Sequence, residues 1–568
     1  MNLNAVKNYL PKPLRAALKQ YFRLGTYPHW KSIVKNDKTV WKSALASAKS
    51  GKKVLIGTCI GAHRVGNIIE STLAAALTLR GVEAHALLCD SMLPACSEAQ
   101  YAKTKNMSDF VTGGTRKTGY CTGCFSYAAQ MYKDLGITLH RFSELVTPEE
   151  KHEAEKIAAT VPFKDIPTYK YKDIVVGEDA MASAIRFYCT GDLEGQESAE
   201  PVLRRYFYGA LLTMFAVERL FKKYTFESMV SFHGVYVPNG VLGEVARKRN
   251  VRVVNWGTAY RKKRFEFSHH DTYHRMMLVE PVSNWKDMPW NDDLENKTMA
   301  YLKSREVGTR DWQQFHENVD LSLEYAVREL NIDFAKPTIG LLPNVVWDAQ
   351  IVYPSNAFKN LIEWTIKTIE YFRKRPDLQL VIRVHPAEIK CHTTTRQPLL
   401  AEIQKHFPTI PKNVFVIPAD SRISTYTVMQ QCNAILIYGT KTGVEMAARG
   451  IPIIIAGEAW IRNKGLTMDA SSPEEYFSIL DKLPLKKGMD TEQLRLARKY
   501  AYHFFYRRGV YLPFLDISKD SISFRLGIKR ISELSQGKSI GLDVLCDGIL
   551  YGKEFIYPAE LNLEPDDH

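Results

Sequence analysis

Long apolar runs are missing from this chain. No stretch approaches the roughly 18–20 residues that a bilayer-spanning helix needs. Leu14–Leu18 is interrupted by basic residues where a secretory leader would carry its apolar centre. The expectation is a cytoplasmic protein, bacterial in style, peripheral at the inner membrane if it meets a membrane at all. Cysteine is scarce: nine in 568 residues make no disulfide framework, and an intracellular chain keeps them reduced. Acid is in deficit, 62 Asp and Glu against 76 Lys and Arg, for a net charge of +14. That excess suits an acidic partner such as nucleic acid, anionic lipid, a nucleotide-activated donor or an acidic polymer. Low-complexity segments and visible internal repeats are absent as well.

The positive charge is uneven. Residues 1–53 hold twelve Lys and Arg against one acid, Asp37. The start KNYLPKPLRAALKQYFRLG forms a helix on paper, with Leu14, Leu18, Tyr21 and Phe22 on one side. Such a helix suits an anionic membrane surface, where each basic side chain contributes on the order of 1 kcal/mol, or it docks on the rest of the chain. AYRKKRFEF (259–267) reads as a contact for an acidic glycan or as a solvated face. No recognised nucleic-acid motif accompanies the charge, which weighs against a nucleic-acid-binding protein.

A chain of this length exceeds one core, so two large domains with extensions are expected. Lys53–Thr58 reads as a buried strand, Asn67–Arg80 as a helix and Glu83–Cys89 as a second strand. Met229–His233 and Val251–Asn255 add strands around a helix at Gly240–Arg249, and residues 286–335 read as connecting helices. A second block begins at Thr338–Pro343. It continues through a helix on which Phe358, Leu361, Ile362, Ile366, Ile369 and Phe372 share a face, then the strands Leu378–Val384, Val414–Pro418, Ala434–Tyr438 and Ile451–Ala456. The alternation predicts an α/β fold with parallel, doubly wound sheets. The expected division is a basic extension (1–50), an acceptor domain (51–335), a nucleotide-binding domain (336–490) and C-terminal helices and tail (491–568), with Thr491–Tyr506 packing back across the first domain.

Two segments carry most of the chemistry: RVHPAE (Arg383–Glu388) and YGTKTGVEMAARGIPIIIAG (Tyr438–Gly457). Each runs from an apolar strand into a polar turn, and in open α/β sheets ligands sit at the carboxyl ends of strands. Arg383 and His385 suit phosphate. The turn Gly439–Gly443 offers backbone N–H groups, and Thr440 and Thr442 add hydroxyls. With WDAQ (Trp347–Gln350), Ser424–Tyr426, GEAW up to Trp460 and NKGLT (Asn463–Thr467), these motifs resemble the C-terminal half of bacterial capsule polysaccharide biosynthesis proteins, a family that includes Kdo-type transferases. The resemblance is firmest over 338–480 and weaker over 50–270. It implies a GT-B-like fold, two Rossmann-like domains facing across a cleft, and a metal-independent, inverting transfer of sugar from a nucleotide donor to a surface polysaccharide. It also implies a donor site containing Asp348, Gln350, Glu388, Ser424, Tyr426 and Lys464, with Glu445 on the ribose diol. Bland readings stand beside these: His385 as part of a turn, Glu445 as a helix-dipole partner, Asp348 and Gln350 as helix caps. A non-hydrolysing nucleotide-sugar epimerase shares the implied fold and is the alternative enzyme.

Transfer needs a base for the acceptor hydroxyl. Enzymes of the implied architecture draw it from the first domain, where His63, Asp90, Glu178, Asp179 and His233 stand at strand ends or helix starts. His63 leads, because imidazole titrates near neutrality and the Gly61–Gly66 loop presents it. Cys89, Cys96, Cys121 and Cys124 form C-x6-C-x24-C-x2-C. The last pair has the turn spacing of a structural zinc site, and the alternative is unpaired thiols, with Cys89 closing a buried strand. No cofactor is expected for catalysis itself. The expected partners are a nucleotide sugar and an acidic or lipid-linked glycan.

Overall fold

The computed structural model describes residues 27–308, 310–312, 318–349, 353–390, 394–485, 488–517 and 524–562. Residues 7–25, where a basic helix is expected, Gln350 and the acidic end of the chain lie outside the described residues. Strand β1 (Lys53–Cys59) is buried at every position but the first, as a run covered on both faces must be. It leads into α1 (Arg64–Leu79), buried from Gly66 through Thr78. Then follow β2 (Glu83–Leu88), β3 (Thr138–Arg141), α2 (Gly177–Tyr188), α3 (Ala199–Lys223), β4 (Ser228–Phe232), α4 (Asn239–Lys248), β5 (Arg252–Thr258) and β6 (Arg264–His269). In space β3-β2-β1-β4-β5 run parallel, and β6 turns back antiparallel to β5. Val54 pairs with Ala84 on one side and Ser228 on the other, so β1 is central.

Helix α5 (Asp292–Arg305) leads to the second sheet: β7 (Thr338–Leu342), α6 (Leu361–Arg373), β8 (Gln379–Arg383), β9 (Val414–Ile417), β10 (Ala434–Ile437), α7 (Thr442–Ala447), β11 (Ile453–Ile455) and β12 (Met468–Asp469). All pairs are parallel in the order β9-β8-β7-β10-β11-β12, with Leu341 opposite both Ile382 and Leu436. Both sheets therefore reverse winding beside their first strand, the arrangement of a doubly wound α/β fold. The expected Rossmann-like pair is what the chain forms.

One element departs from the sequence reading, and the C-terminal helix packs back as expected. The 259–267 segment is no solvated face: it forms β6, where Arg264 is 0% and Glu266 3% exposed, the Arg264 guanidinium lying 4.8 Å from the centre of the Tyr511 ring. The C-terminal helix α8 (Thr491–Tyr502) packs on α5, with Arg498 bound to Glu295 at 2.5 Å and Lys499 Nζ donating to the Lys286 carbonyl at 2.6 Å. The chain then adds β13 (Val510–Tyr511) antiparallel to β6, as the last strand of the first sheet. Among the described residues no helix is long and apolar enough to cross a membrane.

Candidate functional site

A ligand in a doubly wound sheet sits where the strand order reverses, at the carboxyl ends. Here both reversal points open on one cavity of about 620 Å³. The first sheet contributes the turn after β1, with His63, and the turn after β4, with His233; the second contributes the turns after β7, β8 and β10. Direct contacts hold the walls together. Ala349 N–H donates to Tyr236 Oη at 3.0 Å, Trp460 Nε1 to the His274 carbonyl at 2.7 Å, and Arg275 meets Glu458 at 3.2 Å.

On the first wall His63 precedes α1 without capping it. Its ring lies 4.2 Å from Phe232 and 6.4 Å from Trp256. Burial, then Arg186, lowers its pKa to about 4, so the imidazole is neutral at pH 7. A Cβ on Gly66 would stand 2.5 Å from His63 Nδ1; glycine lets that edge rest on the helix, and Nε2 is the edge facing away. Beneath, Glu70 accepts from Trp256 Nε1 at 3.0 Å, and burial raises its carboxyl to about 7. His233 also lines the cavity, with its backbone at φ 68° and its N–H bonded to the Trp256 carbonyl at 2.8 Å. Burial, His274 and Arg186 push its pKa well below the usual histidine value. Asp90 and Asp179 are not brought to the cavity. Asp90 accepts from Ser143 N–H at 3.2 Å and from the Ser143 hydroxyl. Asp179 is buried against Gly240 at the start of α4, its carboxyl raised well above normal by burial and Glu244. Glu178 likewise does not line the cavity.

The second wall gathers Asp348, Arg383, His385, Tyr426, Gly439, Thr440 and Thr442, but not all in the expected roles. His385 Nδ1 accepts from Ala387 N–H at 3.0 Å, which places the proton of the neutral ring on Nε2. Thr440 and Thr442 hydroxyls are 3.2 Å apart. Three of the five N–H groups of the expected cradle are engaged within the protein: Gly439 N–H donates to Asn344 Oδ1 at 3.1 Å, Thr442 N–H to Thr440 Oγ1 at 3.3 Å, and Gly443 N–H to the Thr440 carbonyl at 3.4 Å. A Cβ at Gly443 would lie 2.4 Å from Ile437 Cδ1, so the end of that buried side chain would have to turn aside. Arg383 is 3% exposed; it donates to Thr425 Oγ1 at 3.2 Å and to the carbonyls of Pro418 and Ser421, and burial lowers its pKa to about 10. It braces the 418–425 turn instead of offering a free fork.

Glu445 is the main correction. It is 0% exposed, outside the cavity lining, and bound by Lys441 Nζ at 2.7 Å, Tyr426 Oη at 2.6 Å and Arg305 Nε at 3.1 Å. Burial alone would raise its pKa, yet Arg305 and Lys441 hold it well below the carboxylate range. With both oxygens engaged inside the protein and the side chain fully buried, Glu445 is not presented to a ribose diol. Lys464 is buried, donating to the Glu280 carbonyl at 3.4 Å. Glu388 accepts from Leu399 N–H at 3.2 Å, with its carboxyl raised by burial to about 7. Ser424 caps the 425–429 turn through Thr427 N–H. None of the three lines the cavity.

Sequence reasoning missed Arg186, Tyr236, His274 and Asn344, all in the cavity wall. Arg186, in the last turn of α2, lies 5.1 Å from the Tyr236 ring and 5.4 Å from the Trp347 ring; no motif marks it. Asn344 follows a strand end directly, a signal that was readable. The four expected thiols do converge, joined by Cys59, around a separate pocket of about 20 Å³, and all five are free.

Residues 296–487 match the family described as capsule polysaccharide biosynthesis protein. That match covers roughly a third of the chain. The matched segment runs from α5 through the whole second sheet and contains the second wall of the cavity. No curated protein matches the chain. Among solved structures it is similar to KpsC, a β-Kdo 2,4 transferase of Thermosulfurimonas dismutans, at 13% identity over 54% of this chain and 87% of that one, with a TM-score of 0.35. It is also similar to the β-Kdo 2,7 transferase of that KpsC (14%, covering 56% and 88%, TM-score 0.31) and to UDP-GlcNAc 2-epimerase of Neisseria meningitidis bound to UDP-GlcNAc (10%, covering 79% and 97%, TM-score 0.26). At such scores these likenesses add nothing to the assignment of the site, which rests on the matched segment and the cavity.

Proposed function

We propose that this capsule-biosynthesis chain is a glycosyltransferase that moves a sugar from a nucleotide donor to a growing surface glycan, with inversion and through protein donors alone. The observation that carries the reading is the single cavity on which the reversal points of both sheets open, inside a chain whose residues 296–487 match the capsule family. The donor phosphate sits on the second wall, where His385 Nε2–H and the Thr440 and Thr442 hydroxyls meet charge developing on the leaving group. The acceptor hydroxyl enters from the first wall. Its oxygen attacks the anomeric carbon as the bond to phosphate breaks, and its proton passes to neutral His63. The +14 charge of the chain favours an acidic or lipid-linked acceptor.

Thermal shift against CMP, UDP, GDP and CDP and their sugars tests the donor half. A binder at about 100 Kd stabilises the fold by about 2.7 kcal/mol. His385→Ala should weaken that nucleotide by roughly 10–150-fold, the effect of losing a hydrogen bond to charge. Nucleotide release that needs added glycan acceptor supports transfer; epimerised donor without acceptor, or no nucleotide bound by wild type, refutes it.

A further inference from the structure

Between β2 and the helix Cys124–Leu135 the chain runs 35 residues without a strand. We propose that Cys89, Cys96, Cys121 and Cys124 bind one zinc ion as thiolates, and that the ion fixes this segment as a wall of the cavity. All four line one pocket of about 20 Å³, a volume on the scale of a single small occupant. The backbone that carries them is anchored independently of any ion. Cys89 N–H donates to the Cys59 carbonyl at 2.8 Å, at the end of β1. Cys124 N–H closes the C-x2-C turn on the Cys121 carbonyl at 3.2 Å, with Gly123 at φ 73° making that turn sterically free. Tyr206 Oη holds the Cys96 carbonyl at 3.3 Å.

Burial is the main influence on the sulfurs of Cys89, Cys96 and Cys124 and favours the protonated thiol, so the bound cation itself must stabilise the thiolates. Cys124 also opens a twelve-residue helix, whose N-terminal dipole favours negative charge. Four sulfurs select a tetrahedral, thiophilic ion, and zinc is the ordinary one. As the side chains stand, no three His, Cys, Asp or Glu among the described residues are in metal-holding geometry. Binding therefore requires the sulfurs to swing inward about their Cα–Cβ bonds and to release four protons as four Zn–S bonds form. Cys59, 0% exposed and closing β1, stays outside the ligand set as an apolar neighbour. Glu98 and Ile60 line both the thiol pocket and the large cavity, so the ion would hold Ser97–Gln100 in the cavity wall.

The test uses the full chain, purified under reducing conditions without chelator. Elemental analysis should find one zinc per chain, lost in the double variant Cys121→Ser/Cys124→Ser. Because that variant can fail to fold, wild-type protein stripped of metal is also titrated with cobalt(II), which should give the visible bands of a tetrahedral tetrathiolate site. Purified protein without zinc, together with no such bands on adding cobalt, overturns the proposal. Neither readout involves turnover, so that result would leave the glycosyl-transfer reading untouched.

Discussion

His63 and Glu445 show how differently a residue can read in sequence and in space. If His63 takes the acceptor proton, His63→Ala lowers kcat by about 10²–10⁴-fold while nucleotide affinity stays at wild type, because general-base help is realised only in the transition state. The pH profile gives a second check. The base must be neutral to act, and burial places its pKa at about 4, so kcat/KM should lack an ascending limb near 6.5 and fall only as pH approaches about 4. Normal turnover by His63→Ala would move the base to His233. For Glu445 the expectation is reversed from the sequence reading: Glu445→Gln leaves Arg305 and Lys441 without their carboxylate and should cost about 3–5 kcal/mol of stability in denaturant unfolding, before any effect on nucleotide. His385, Thr440 and Thr442 were legible because a strand and a polar turn, both local, put them at the site. Glu445, Lys464 and Glu388 were not, because Arg305, Glu280 and Leu399 decide their roles and come from 140, 184 and 11 positions away.

Elements were read well wherever the apolar period was undisturbed, as in β1, α1, α6, β8 and β10. The strand β6 was missed because Arg264 and Glu266 look solvent-facing in the sequence; only the later return of β13 and the Tyr511 ring buries them. The strand-helix junction at His63 offers a test of how α1 sets the site. In Gly66→Ala the new methyl would crowd His63 Nδ1 and nothing more rigid, so the imidazole must turn while the helix gains from losing a glycine. The variant should melt at or above the wild-type temperature, bind nucleotide normally and turn over more slowly. Wild-type turnover in a stable Gly66→Ala protein would show that the orientation of His63 does not matter.

For the whole molecule, burial acts on two sets of groups with opposite sign. His63, His140 and His274 fall to about 4, and His85 and His233 are lowered as well. Their stability contribution is complete above the unfolded value of 6.5 and is lost as pH drops toward 4. Glu70 and Glu388 rise to about 7 and Glu266 to about 8, so their contribution is complete below 4.5 and is lost as pH climbs through 7–8. Below 6.5 these five histidines outnumber the three carboxyls, and above it the histidines contribute no further gain while the carboxyls go on losing theirs, so the melting temperature should peak near about pH 6.5 and decline on both sides. A melting temperature that keeps rising to pH 8.5 would contradict the buried carboxyls. The two-sheet plan was visible from strand–turn–helix alternation and the return of the chain from the helical run at 491–506, whereas β13 was not, since it is two residues long. That return has a mechanical consequence. The polypeptide passes from first sheet to second through α5 and back again through α8, and these two crossings lie side by side. Two adjacent straps tie the two sheets together at neighbouring points, so an opening of the cleft that admits donor and acceptor is expected to pivot about these crossings.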